Sequence, residues 1–169
     1  MTYTSTSVST YTRTHTATHL ADVILGSIAD ILGTLSIDVT RLFADWDTDQ
    51  RAISAWVNEG SLACVALECH QPGGAVTPIF EFPVLYTTTG EGDRKFTADR
   101  ASLARYLAKL QRVQSGTTYR LFCTFNGSHS QQPGWNPGTR ASTSGMRSYG
   151  FGTLASAPHA NTSLRYFTK

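Results

Sequence analysis

The run Ile79-Phe-Glu-Phe-Pro-Val-Leu-Tyr86 constrains this chain more than any other stretch. Its aromatic and branched residues suit a pleated strand. Phe80, Phe82, Val84 and Tyr86 fall on one face, Ile79, Leu85 and a lone Glu81 on the other. Pro83 has no N–H to give to a ladder, which predicts an edge strand or a bulge at the proline. An apolar edge of this length invites pairing unless something covers it. A polar link, one amphipathic helix and a second apolar strand follow, ending at Phe125.

Around that unit the elements are read from periodicity. Thr2–Arg13 alternates in strand period but offers little apolar area, so it reads as a weakly held terminal strand or an arm that pairs on demand. Leu20, Ile24, Ile28, Ile31 and Leu35 keep helical spacing, predicting a core helix from about Thr16 to Leu32 with Gly33 as its stop. Leu42, Phe43 and Trp46 make a helical turn, and Asp47 with Gln50 resembles a capping box for a short helix ending before Gly60. Ser61–His70 reads as a strand, joined to the proline-bearing run through Gln71-Pro-Gly-Gly74. A third helix should start at a Thr97 cap, bury Leu103, Tyr106, Leu107, Leu110 and Val113, and end at Gly116. Thr118–Phe125 is the next strand. Residues 126–148 lack periodicity, with Trp135 as their one large apolar group, before two strand candidates at Ser148–Leu154 and Ser163–Phe167.

Several chemistries are missing. There is no phosphate loop, GxSxG, HExxH or dinucleotide fingerprint. His15 and His19 stand four apart but lack a third ligand, and Asp45, Asp47 and Asp49 lack the glycine and distal glutamate of a calcium loop, so no metal site is expected. Cys69 and His70 are neighbours on a strand and point to opposite faces, wrong for a nucleophile and its base. The reading is a protein that is not an enzyme and carries no cofactor. No apolar run approaches the roughly 18 residues of a spanning helix. Cys64, Cys69 and Cys123 fall in strands and read as buried thiols of a reducing, cytoplasmic compartment. Charge is segregated: eleven acids against three bases through Asp93, net −8, then eleven bases against Asp99 alone, net +10.

The element order, together with Tyr11-Thr-Arg-Thr-His-Thr-Ala-Thr-His-Leu20 leading into the first helix and the closing Leu164-Arg-Tyr-Phe167, resembles a HORMA domain of the bacterial branch associated with CBASS anti-phage signalling. The resemblance implies an α+β fold: three helices packed on a small, mostly antiparallel sheet with a mobile C-terminal β-hairpin, the safety belt. It implies one domain over 1–169, with a strand or arm at 1–13, a core at 14–125 and the belt at 126–169. It further implies a signalling adaptor that clasps a closure-motif peptide by β-augmentation on the strand before the third helix. When closed, such an adaptor activates a CD-NTase-type cyclic-oligonucleotide synthase. A Pch-type AAA+ ATPase reopens it through the N-terminal segment, carried here to Tyr3, Val8, Tyr11 and Arg13. A second HORMA protein is a further implied partner.

The peptide pockets then fall to Phe80, Phe82, Val84 and Tyr86 on the strand and to Trp135, Tyr149, Phe151 and Leu154 in the belt. Ordinary core packing competes for Phe80 and Phe82. Trimming after about Asn126 is expected to abolish capture and leave a folded core. The alternative is a nucleic-acid-binding module, motivated by the basic C-terminal half, Arg105, Lys109, Arg112 and the aromatics Trp135, Tyr149 and Phe151. It ranks second because the bases are not interleaved with the aromatics along the sequence.

Overall fold

The structure, a computed structural model, describes residues 5–87 and 96–169, and of 5–11 only the backbone. Helix α1 (Ser5–Thr34) is followed by α2 (Thr40–Ala44), α3 (Trp46–Asn58), β1 (Leu62–His70), β2 (Val76–Tyr86), β3 (Thr97–Ala98), α4 (Arg100–Leu107), β4 (Thr118–Phe125), β5 (Arg147–Ser156) and β6 (Ala160–Thr168). The strands form one antiparallel sheet in the order β3-β5-β6-β2-β1-β4. The arrangement is α+β, as expected, with four helices where three were predicted.

Helix α1 is the centre of the core. Leu20, Ala21, Ile24, Leu25, Ile28, Ile31 and Leu32 have no exposed surface, each aliphatic side chain contributing roughly 1.5–3 kcal/mol. It packs against α3, and the two cover the sheet face that carries Val65, Leu67, Phe80, Phe82 and Leu164. The expected terminal strand is corrected here: the backbone is helical from Ser5, eleven positions before Thr16. Serine and threonine lose at most about 0.7 kcal/mol per residue against alanine in a helix, and extending an existing helix needs no new nucleus. Alternating threonines therefore do not force a strand. Thr2–Thr4 lie outside the described residues.

Strand β2 is not an edge. It pairs with β1 on one side and β6 on the other. Pro83 is tolerated because the β6 ladder has no pairs at Phe82 and Pro83, and the Pro83 carbonyl instead accepts from the buried Thr162 hydroxyl at 2.9 Å. Two smaller expectations also change. The Asp47–Gln50 box does not form; Asp45 stands at the N-cap of α3 without a side-chain bond. Thr97 is in β3 and Asp99 caps α4, accepting from the Ser102 N–H at 3.1 Å. Helix α4 stops at Leu107 through tightened bonds from Lys109 and Leu110 N–H to Tyr106 and Leu107, leaving Leu110 and Val113 to pack from the coil.

Candidate functional site

One edge of the sheet is the full-length strand β4. It stands last in the strand order, and among the described residues no strand pairs with its outer edge. One carbonyl near its start, that of Tyr119, accepts from Arg41 Nη2 at 3.1 Å, and the guanidinium lies 4.7 Å from the Tyr119 ring.

The aperiodic segment after Phe125 wraps this edge. On the helix face, His129 stacks on Phe125 at 3.6 Å and Trp135 meets Trp56 edge-on at 5.4 Å. Trp56 Nε1 donates to the Ser130 carbonyl at 2.8 Å, and Ser130 N–H donates to Glu59 Oε1 at 3.0 Å. Burial pulls Glu59 upward, but the bonds from Ser61 and Ser130 outweigh it and hold the carboxyl below its usual range. Gly134 makes the closest approach: its φ is +82°, and a Cβ there would stand 2.7 Å from Thr48 Cγ2. Only glycine fits both conditions.

The chain then crosses to the opposite face. Gly138 lies over the Phe122 ring, close enough that a Cβ would be 3.1 Å from it. Arg140 Nη2 donates to Glu81 Oε1 at 3.0 Å, while Glu81 Oε2 accepts from Arg165 Nε at 3.0 Å and Nη2 at 2.7 Å. Ala141 N–H donates to Glu68 Oε2 at 2.7 Å, and Glu68 Oε1 lies 3.2 Å from His70 Nε2. Glu81 and Glu68 are 6% and 1% exposed, so the segment is fastened to two buried carboxylates of β2 and β1. Buried charges require such partners.

Between this strap and β4 lies a cavity of about 290 Å³, bounded by Leu121–Phe125 on one side and by His129, Ser130, Trp135, Pro137 and Arg140 on the other. Among the described residues, two buried donors of its lining residues, Trp135 Nε1 and Arg140 Nε, have no full hydrogen bond. An unsatisfied buried donor costs about 1–3 kcal/mol. A neighbouring hollow holds Arg41, Asp45 and Asp49 beside Trp135. Burial, then Asp45, pushes the Asp49 carboxyl up to about 6; the nearby Trp135 indole N–H, short of a full hydrogen bond, and Arg41 oppose the rise. The arrangement suits capture of an extended backbone, not covalent chemistry. Burial lifts the Cys64 and Cys69 thiols to about 11 and 12, and Cys123 is raised by the same cause. Among the described residues no His, Cys, Asp and Glu cluster is placed to hold a metal.

Of the residues expected to line a peptide slot, Trp135 alone borders the β4 channel. Phe80, Phe82, Val84 and Leu154 are at most 4% exposed, in the core, where no peptide reaches them. With both edges of β2 occupied, augmentation on that strand is corrected. Tyr86 donates to the Leu62 carbonyl and lines a separate hollow with Arg13 and His159. Tyr149 and Phe151 lie at the other end of the sheet against Tyr166 and Tyr106. Tyr3 is outside the described residues, and Val8 and Tyr11 are on the first turns of α1. The residues missed, Glu68, Glu81 and Arg140, had one legible signal: acids inside apolar strands, opposite a tail whose charges are all basic.

A family model, bacterial HORMA domain 2, matches residues 5–169. No curated protein matches the chain. Among solved structures, a chain of the mitotic checkpoint complex superposes with a TM-score of 0.74 at 8% identity, over 90% of this chain and 98% of its own. C. elegans HTP-2 bound to the HIM-3 closure motif gives 0.69 at 12%, over 89% and 88%. The E. coli MS115-1 CdnC:HORMA-deltaN complex gives 0.63 at 13%, over 92% and 88%.

Proposed function

The chain belongs to the bacterial HORMA domain 2 family, and from that membership we propose that it is a signalling adaptor whose belt, 126–169, clasps a closure-motif peptide added as a further strand to β4. The observation that carries the proposal is the strap from Asn126 to Arg147 passing around an unpaired strand edge from one sheet face to the other. Main-chain bonds to β4 supply attachment, the lining residues Trp135 and Arg140 supply anchors, and side chains alternating along the peptide supply selectivity. The pairing of β6 with β2 fits a closed arrangement of such a belt.

The partners follow from the family and its fold relatives. HTP-2 is seen with a closure motif and the E. coli relative with CdnC, which supports a peptide and a CD-NTase-type synthase as the two ligands of this adaptor in cytoplasmic anti-phage signalling. A Pch-type AAA+ ATPase reopens it by pulling on the segment of Tyr3, Val8, Tyr11 and Arg13. That segment's threonine- and serine-rich turns have low helix propensity, so unwinding it costs little. A second HORMA protein is a further partner.

The test is selection of a random phage-displayed peptide library on the full chain, followed by hydrogen exchange with the enriched peptide. Protection should rise over 118–125 and 129–140 and stay unchanged over 76–86. Trp135→Ala should weaken the peptide about tenfold. Protection that rises on β2 instead, or no enrichment, overturns the proposal.

A further inference from the structure

At the end of the sheet away from β4, the coil after α4 and the start of the β5–β6 hairpin enclose a second cavity of about 650 Å³. It shares no lining residue with the peptide channel. Lys109, Arg112, Arg147 and Lys169 line it, and among the described residues no acid does. Among the described residues none of these four bases has an ion-pair partner, whereas Arg100, Arg140 and Arg165 do. Uncompensated charge in a concave wall concentrates positive potential.

An aromatic platform stands in the same wall. Tyr149 stacks on Tyr166 with ring centroids 4.9 Å apart and planes 16° from parallel, yet stays 42% exposed. Tyr166 is held from beneath by Phe80 at 5.5 Å and by Tyr106 edge-on at 5.6 Å. The register Phe80–Tyr166–Tyr149 runs across three neighbouring strands, so the outer ring is fixed by the core. Folding thus interleaves the bases and aromatics that stand apart in sequence.

We propose that this cavity binds a nucleotide-class ligand, its phosphates on Lys109, Arg112 and Arg147 and one base on the free face of Tyr149. A ring plane beside unpaired cations is the pairing that single-stranded nucleotides use. A bare anion would need only the cations, and a flat protein surface would not need the ring.

The experiment uses the full chain with three probes: a fluorescein-labelled oligothymidylate of about 12 nucleotides, ATP, and inorganic tripolyphosphate. The oligonucleotide should bind with log affinity falling against log salt by about 0.7 per phosphate engaged, for a slope of roughly −2 to −3. Arg112→Ala and Arg147→Ala should each weaken oligonucleotide and tripolyphosphate alike. Tyr149→Ala should weaken the oligonucleotide about tenfold and leave tripolyphosphate unchanged, with Tyr149→Phe restoring binding. ATP binding as tightly as the oligonucleotide would identify a mononucleotide site, weaker ATP a strand site; both support the class. Indifference of the oligonucleotide to Tyr149→Ala overturns it in favour of a plain docking patch for anions, and so does the absence of binding at low salt. Trp135→Ala, which disturbs the peptide channel, should leave oligonucleotide binding intact, so the two readings fail separately.

Discussion

Glu81 is the residue where the strap and β6 meet. Arg140 reaches it from the strap and Arg165 from β6. Glu81→Gln should therefore loosen the strap more than the core. Breaking a buried ion pair costs about 3–5 kcal/mol, less here because Arg165 is 53% exposed. Hydrogen exchange should quicken over 138–142 and stay slow in α1. Asp49 gives a pH test. A carboxyl whose folded pKa is raised to about 6 opposes the fold where it is ionised, so its penalty is present above that value and relieved as pH falls toward the ordinary carboxylate range. Thermal melts should show Asp49→Asn stabilised at pH 7 by about 1 kcal/mol, allowing for partial exposure, with the gain vanishing near pH 4.

At the scale of elements, the strap depends on its approach to α3. Gly134→Ala adds a Cβ at a positive φ and against Thr48, so peptide capture should fall, with a penalty of about 1–2 kcal/mol. A melt within a few degrees of the parent would confine the damage to the strap. The same element shows what periodicity could reveal. Strand β4 was legible to the residue, because Thr118–Phe125 alternates around Tyr119, Leu121, Cys123 and Phe125. Its position at the edge was not legible, since strand order rests on pairings such as Glu81 with Arg165 across about half of the chain. Pro83 misled for a related reason: a local rule about missing donors knows nothing of a hydroxyl arriving from Thr162. Trp135 stood out as a lone aromatic in an aperiodic stretch, and that contrast is the part of the site the sequence exposed.

For the whole molecule, the C-terminal segment is also core. Leu154, Ala155, Ala160 and Leu164 are about 1% exposed, and β6 covers one side of β2. A chain ending at Phe125 should thus lose more than capture: calorimetry is expected to show no cooperative transition, and dye binding should report exposed apolar surface. That outcome replaces the expectation of a folded remainder. Enclosure has a kinetic meaning as well. If the proposed function holds, a guest threaded between β4 and a continuous length of covalent chain departs only by sliding out endwise or waiting for the ring to open. Its residence time is then set by the host's own breathing, so guests of very different equilibrium strength should dwell for similar periods. On that proposal the guest's side chains are read as it enters, and the closed chain alone decides how long it stays.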